Sequence, residues 1–190
     1  MTKWLFRLLL TLNATSLFII VFLVQKKYTL SKLILLFDTN VPVFIKMLPD
    51  YVSYILYFSI PIILTGISIC LSKHLSCDEF KKGESETIEY ANNSFLPSYL
   101  GYFFVALSIN DCHTLLVVYC ILLIFTFLSQ ALYFNPLFLL FGFEFYNVKT
   151  KSGYTYFLIS RKHFKTATDI IISKAYRINN YTFIDRSKNE

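Results

Sequence analysis

Residues 115–148 read LLVVYCILLIFTFLSQALYFNPLFLLFGFEFYNV, and this stretch decides the fold. Its first part, residues 115–134, is an uncharged apolar run of about 20 residues, the length that a helix needs to cross the ~30 Å hydrocarbon core of a bilayer. After Pro136 aromatic residues crowd around one glycine and one glutamate, a composition that favours a β-strand. We therefore expect the chain to pass here from its last membrane span into a small extramembrane module.

The overall composition also indicates an integral membrane protein. The 190 residues are 55% apolar and 18% aromatic, and the apolar residues occur in blocks. The four cysteines show no CxxC spacing, so we expect no disulfide framework. The first apolar block follows Lys3 and Arg7 and has no small-residue cleavage signal after it, which favours a retained signal anchor over a cleaved signal peptide.

Four apolar blocks predict four transmembrane helices, at about residues 4–24, 52–71, 95–109 and 115–134. The predicted fold is thus an α-helical integral membrane protein with a four-span domain over residues 1–136 and a small β-rich cytoplasmic domain over residues 137–190. Pro61 lies near the middle of the second span and predicts a kink there, since proline removes a backbone hydrogen bond.

The segments between the spans differ in character. Residues 25–50 carry an apolar insert at helical spacing that is too short to span, and we expect it to lie on the membrane surface as an amphipathic helix. Residues 72–93 are acidic and polar, and we interpret them as an exposed, partly helical loop. The short connection at residues 110–113 predicts an antiparallel hairpin of spans three and four.

The distribution of Lys and Arg predicts the orientation in the membrane. With four spans, the side that holds both termini carries 14 of these residues and the other side carries four, all within residues 25–50. The positive-inside rule then places both termini in the cytoplasm.

The tail after Pro136 reads as four strands, at about residues 137–148, 154–160, 170–178 and 181–184. Gly153 suits a hairpin turn between the first two strands, and Asn179-Asn180 suits a turn between the last two. About 54 residues are few for an independent hydrophobic core. We expect the tail to lean on the membrane helices or on neighbouring copies of the chain.

No catalytic motif is present, so we expect that the protein is not an enzyme and binds no cofactor. The five glycines are scattered singly, without a phosphate-binding loop, and there is no nucleophile elbow or HExxH sequence. His74 and Cys77 together with Cys112 and His113 would supply zinc ligands, but the predicted topology puts the two pairs on opposite sides of the membrane. We therefore expect no metal site.

Polar residues inside two predicted spans are candidates for helix packing. Asn13 lies in the first span and Gln130 in the fourth, each with hydroxyl side chains nearby. A polar group in hydrocarbon is stabilised mainly by a partner on another helix, so the two clusters could meet. The alternative is a polar path for ions, which would need a ring of copies to build a pore.

The predicted cytoplasmic tail is basic, with nine Lys and Arg residues against four carboxylates. Such a surface could dock an acidic partner, anionic lipid or nucleic acid. The alternative is simply the positive-inside bias. The aromatic residues among the cations suit a strand core better than a base-stacking platform, so we expect no direct binding of nucleic acid.

Three short motifs carry a family resemblance: FNPL at 134–137, GFEFYNV at 142–148 and FLISR at 157–161. Together with the length and the predicted architecture, they resemble the KwaA family, the membrane subunits of the Kiwa anti-phage defence system. The resemblance implies a sensor in the bacterial inner membrane that detects phage attack and holds a cytoplasmic DNA-binding effector, KwaB. It supplies no catalytic residues.

The resemblance also gives expectations for the partners. Arg161, Lys162 and Lys165 lie just past the second tail strand and are our candidates for contact with the effector. Closed symmetry is the usual form of homo-oligomers, and we expect a homo-oligomer with four copies as the working number.

A function of a different class remains open from the sequence: a small oligomeric channel or pore-forming defence effector. A pore would dissipate the membrane potential when triggered, whereas a scaffold would be inert without its partner. A transporter is disfavoured because the first two spans do not repeat in the last two and no charged pair lies within the spans. An immunity protein for a bacteriocin would have a similar composition.

Overall fold

The computed structural model describes residues 3–37, 42–94, 96–129 and 135–187, which form a group of helices and one six-stranded sheet. The helices are α1 Lys3–Gln25, α2 Leu30–Phe37, α3 Val43–Lys46, α4 Asp50–Leu71, α5 Leu96–Ser108, α6 Cys112–Ser129 and α7 Leu137–Leu140. The strands are β1 Cys77–Phe80, β2 Ser85–Tyr90, β3 Glu144–Thr150, β4 Thr155–Ser160, β5 Ile172–Arg177 and β6 Thr182–Asp185.

Three helical segments are long and apolar enough to cross a membrane: Trp4–Gln25, Asp50–His74 and Cys112–Ser129. They match the first, second and fourth predicted spans in position, and their length and composition suggest a membrane protein. Helix α5, at the third predicted span, is apolar but has 13 residues, or about 20 Å at the helical rise. It is shorter than a straight span requires.

Helix α1 is the centre of the helical part. Helices α4, α5 and α6 all pack on it. The residues of α1 that are buried in these contacts include Phe6, Leu10, Phe18 and Phe22. By contrast, no residue of α6 is buried within the part of the chain that the structure describes. Much of the apolar surface of α6 therefore faces outward, as expected for contact with lipid or with another protein.

The strand order across the sheet is β1-β5-β6-β4-β3-β2. Neighbouring strands are antiparallel except β4 and β6, which are parallel. The prediction of four tail strands is confirmed, and Gly153 takes a φ of 86° in the turn between β3 and β4. This is the left-handed conformation that glycine adopts without strain.

The predicted start of the first tail strand was wrong. Residues 137–140 form the short helix α7, and β3 begins only at Glu144. The side-chain oxygen of Asn135 accepts a hydrogen bond from the backbone N–H of Leu137 at 3.0 Å, which favours a helical turn directly after Pro136. Gly142, at a φ of 73°, then turns the chain into the strand.

The interpretation of residues 72–93 as a partly helical loop was also wrong. After a short 3₁₀ turn, this segment supplies β1 and β2, which form the two opposite edges of the sheet. Lys149 pairs with Glu86 at 3.3 Å and Arg177 with Asp78 at 3.4 Å, so carboxylates of the segment lie against cations of the tail. Charged side chains are common on edge strands because they discourage further pairing. The sheet therefore combines strands that precede α5 and α6 in the sequence with strands that follow them.

This strand pairing restricts how α5 and α6 can lie in a bilayer. Strand β2 precedes the two helices and β3 follows them, yet the strands pair from Ser85–Thr150 to Tyr90–Tyr146. Paired strands share one compartment, so the segment between them crosses the membrane an even number of times or not at all. If α6 crosses, α5 must cross as well.

The sheet packs against the helices through one of its faces. Phe145, Phe157 and Ile159 on this face form a core with Phe6 of α1 and Ile69 of α4. The opposite face forms a second core that includes Tyr146, Leu158 and Phe183, with Phe164 and Ile170 from the connection before β5. The expectation that the tail leans on the helices is confirmed.

Candidate coupling site between the helices and the sheet

A cluster of polar side chains is buried where α1, α4 and the entrance to α7 meet. Asn13 of α1, Thr65 of α4 and Asn135, two residues before α7, are all fully or almost fully buried. Buried polar groups away from water are costly unless each finds a hydrogen-bond partner. We call Asn13, Pro61, Thr65 and Asn135 the polar node.

The hydrogen bonds of the node join three parts of the chain. In the amide orientation that gives Asn13 a partner at both ends, its Nδ2 donates to the carbonyl oxygen of Pro61 at 3.0 Å. Its Oδ1 accepts from the backbone N–H of Thr65 at 3.2 Å and from Nδ2 of Asn135 at 2.9 Å. The second hydrogen of the Asn135 amide reaches Oγ1 of Thr65 at 3.1 Å. The node is thus well bonded without water.

At Pro61, α4 accepts a side chain from α1. Proline has no N–H and so removes the backbone hydrogen bond to the carbonyl four residues before it, whereas its own carbonyl remains an acceptor. Here the Pro61 carbonyl accepts from Asn13 and also lies 2.7 Å from the hydroxyl of Thr65, which donates to it. The proline and the threonine four residues later therefore form the receptor for the amide of Asn13.

Asn135 connects the node to the sheet. While its amide nitrogen binds Asn13, its Oδ1 accepts a hydrogen bond from the N–H of Leu137, the first residue of α7. Phe138 of α7 packs in the core under the sheet, with its ring centroid 5.8 Å from Phe143 and 6.5 Å from Phe145. A displacement of α1 against α4 would therefore act directly on Asn135, which precedes α7 and the start of β3.

Next to Asn13, α1 is bonded to its two other helical neighbours. The hydroxyl of Tyr99 on α5 donates to the carbonyl oxygen of Ala14 at 2.9 Å. The hydroxyls of Thr15 and Tyr119 on α6 are 3.2 Å apart. Three consecutive residues of α1 are thus bonded to α4, α5 and α6 respectively, so this level of α1 fixes the arrangement of all four helices.

The sequence identified only part of this site. Asn13 was predicted as a packing residue, but its suggested partner Gln130 lies outside the described residues. Thr65 and Asn135 were missed: the Asn-Pro step was interpreted as a boundary between domains, although an uncharged amide beside a span is itself a signal for interhelical bonding.

The three basic candidates lie in different environments. The guanidinium carbon of Arg161 is 4.5 Å from the ring centroid of Phe143, and its Nε is buried without a hydrogen-bond partner in the described part of the chain. Lys162 is half-buried, whereas Lys165 is exposed. Arg161 is therefore partly committed to packing, and Lys165 is the most accessible cation of the three.

These three cations lie in the connection between β4 and β5, which we call the basic loop. It is held in place by Glu144 and Tyr146 of β3. Nδ1 of His163 lies 2.8 Å from the Glu144 carboxylate, which also accepts a hydrogen bond from the Tyr146 hydroxyl. The same hydroxyl accepts from the Phe164 N–H at 3.3 Å. Burial, and then the bond to Glu144, raise the pKa of Tyr146 well above its ordinary value, so the hydroxyl stays protonated. The loop is thus positioned by β3, the strand that follows α7.

Within residues 3–37, 42–94, 96–129 and 135–187, no group of three or more His, Cys, Asp or Glu side chains is arranged to hold a metal ion. The node itself contains only amides, a hydroxyl and backbone groups, which do not titrate at ordinary pH. What this arrangement can do is hold helices and sheet in one relative position.

Comparison with known proteins gives one match. A family model described as the anti-phage protein KwaA matches residues 6–184, from the first turns of α1 to β6. The match therefore includes the polar node, the first five strands, most of β6 and the basic loop. No curated protein and no solved structure matches the chain.

Proposed function

The chain belongs to the KwaA family of anti-phage proteins, and on this basis we propose that it is the inner-membrane sensor and scaffold of a bacterial defence system. In this proposal the helices respond to a change in the membrane during phage attack. The cytoplasmic sheet recruits and regulates a DNA-binding effector, KwaB. The protein acts through binding and position and performs no catalysis.

The observation that carries the proposal is the position of Asn135. Its side-chain nitrogen binds Asn13 in the helical part, and its side-chain oxygen binds the first N–H of α7, the helix that leads into the sheet. A change in bilayer thickness or potential acts on the packing of membrane helices. Because Asn135 is bonded to both parts, such a change would reach the sheet through its hydrogen bonds.

The charge distribution and the fold support the proposed topology. The N-terminal end of α1 packs through Phe6 in the same core as Phe145 of the sheet, so these two parts share one side. The pairing of β2 with β3 agrees with a membrane-crossing hairpin of α5 and α6. That side also carries most of the Lys and Arg residues, which favours four spans with both termini in the cytoplasm.

We further propose that the basic loop contributes to recruitment of the effector. Lys162 and Lys165 have no ion pair among the described residues, unlike Lys149 and Arg177. Cations outside salt bridges attract an acidic partner and speed association, although the charge of Lys165 also acts on Asp169. Arg161 would contribute mainly by holding the start of the loop on Phe143.

A homo-oligomer, with four copies as the working number, completes the proposal. The outward apolar surface of α6 could face a neighbouring copy as well as lipid. The mass of the complex in detergent tests this part: a monomer would contradict it.

A pore is the competing function, and the burial of the polar node does not favour it. A conducting path needs polar groups that face a lumen. Asn13, Thr65 and Asn135 are instead buried and bonded to one another. We therefore favour the scaffold.

Phage plating tests the proposed function. Cells would carry this gene with its neighbouring gene, each gene alone, or neither. We expect protection only when both genes are present. Protection by this gene alone, together with loss of membrane potential on infection, would favour the pore. No protection in any combination would contradict the sensor and scaffold function.

A further inference from the structure

A pocket of about 290 Å³ opens at the end of the sheet where β4 and β6 begin. Its inner wall is a cluster of three aromatic rings. Phe80 stacks on Tyr156 with centroids 4.6 Å apart, and Phe183 meets both rings edge to face at 5.1 and 5.7 Å. Such a cluster gives the pocket a rigid apolar inner wall.

Two exposed tyrosines stand at the mouth of the pocket. Tyr154 and Tyr181 are 70% and 61% exposed. They share one end of the sheet because each directly precedes one of two adjacent parallel strands, in which Phe157 is paired with Thr182. Because these rings are exposed, they add little to the hydrophobic cores. Exposed tyrosines beside a pocket are typical of recognition sites.

Arg177 supplies a cation to the same pocket. Its guanidinium carbon is 5.7 Å from the ring centroid of Phe183. Its Nε lies 3.4 Å from the Asp78 carboxylate but is buried and makes no hydrogen bond with the described residues. The guanidinium therefore lies beside the aromatic wall of the pocket and is paired with a carboxylate of β1.

Strand β1 borders the pocket and is an edge of the sheet. It supplies Phe80 to the pocket and Asp78 to Arg177, and its only strand neighbour in the described sheet is β5. Its edge presents backbone groups that can pair with an added strand, and the bulge between Asp78 and Phe80 and the charged side chains of β1 limit this pairing to a segment that fits them. In β-strand addition the backbone gives affinity and adjacent side-chain pockets give specificity.

From these features we propose that the pocket and the edge of β1 form a docking site for an extended segment of a protein partner, which inserts one aromatic side chain between Tyr154 and Tyr181. This inference rests on the proposed function, because it assigns the surface through which the scaffold holds its effector. The volume lies just below the range of about 300–1,000 Å³ of small-molecule sites, and it suits one side chain better than a cofactor.

The site lies at the opposite end of β4 from the basic loop. Tyr154 precedes the first residue of β4, whereas Arg161 follows the last. The two surfaces therefore have separable roles: the pocket anchors the partner, and the loop attracts it.

Binding of the purified product of the neighbouring gene to the full-length protein in detergent tests the proposal. We expect Tyr154→Ala and Tyr181→Ala each to weaken binding by about tenfold or more, as for anchor residues of interfaces. Tyr90→Ala is the matched control, since Tyr90 is 61% exposed on β2 at the opposite edge of the sheet. It should bind like the unchanged protein.

Thermal unfolding of each variant separates loss of the site from loss of the fold. Unchanged binding by both pocket variants, at unchanged stability, overturns the docking site and leaves the scaffold function standing. If Tyr90→Ala weakens binding as strongly as they do, the specific role of the pocket is also overturned. Absence of binding by the unchanged protein contradicts both the docking site and the scaffold function.

Discussion

The side-chain amide of Asn135 donates a hydrogen bond to Oδ1 of Asn13 across 2.9 Å. This bond links the first helix to the segment that enters the tail strands, and both side chains are withdrawn from water. Removing one partner leaves the other buried and less well bonded, which costs more than the hydrogen bond itself contributes. The pair is therefore a sensitive point at which to test the coupling of helices and sheet.

Asn13→Ala and Asn135→Ala should each destabilise the protein, by about 1–3 kcal/mol for a buried polar group left without its partner. Because the two side chains bond each other, the double variant should lose less stability than the sum of the single variants. Thermal unfolding in detergent measures all three. Asn93→Ala, at an exposed position, is the control. Strict additivity would show that the two amides do not interact.

Phe138→Ala should loosen the sheet from the helices. Phe138 of α7 is buried against the sheet, and truncation of a buried phenylalanine costs about 3–5 kcal/mol. The tail strands should then become cleavable in limited proteolysis at lower protease concentration. Phe44 on α3 is 75% exposed, so Phe44→Ala provides a matched control with little effect. Equal cleavage of the two variants would contradict the packing role of Phe138.

Arg161 and Lys165 should respond differently to substitution. Arg161→Ala removes a cation packed on Phe143, an interaction of about 0.5–2 kcal/mol, and should lower stability. Lys165→Glu changes an exposed charge and should leave stability almost unchanged, while it weakens binding of the effector, most strongly at low salt. The two readouts are thermal unfolding and co-purification. Full effector binding by Lys165→Glu would remove this lysine from the proposed contact surface.

The 3₁₀ turn Ala167–Asp169, which lies before β5, should be sensitive to acid. The backbone N–H and then the hydroxyl of Thr166 bond the Asp169 carboxylate and hold its pKa below the ordinary value. A lowered carboxyl pKa stabilises the fold above the unfolded pKa of about 4, and this stabilisation is lost as the pH falls through the folded pKa. The stability difference between the unchanged protein and Asp169→Asn should therefore shrink from about pH 5 to about pH 3. A difference that is constant over this range would contradict the prediction.

Local signals in the sequence were sufficient for much of the fold. The long apolar runs predicted α1, α4 and α6, and short apolar or aromatic segments beside turn signals predicted β4, β5 and β6 within two residues at each end. Each of these signals depends on the length or periodicity of one segment. Such properties persist whatever that segment packs against.

The polar edge strands were not predictable in this way. Residues 85–90 read SETIEY, and their charged side chains resemble a solvated loop because only the backbone is needed to extend the sheet at its edge. Their partner, β3, lies beyond two helices in the chain. The node was missed for a similar reason, since Thr65 and Asn135 become partners of Asn13 only when three distant segments have packed together.

Because of the position of β1 and β2 in the chain, formation of the complete sheet depends on how α5 and α6 are inserted. Both strands are synthesised before α5 and α6, and all their partners are synthesised afterwards. If only one of the two helices were inserted, β2 and β3 would be delivered to opposite sides of the membrane and could never meet. A chain with this error would keep unpaired edges that proteases and chaperones recognise. Completion of the sheet therefore requires that α5 and α6 either both cross the membrane or both remain on the side of the sheet.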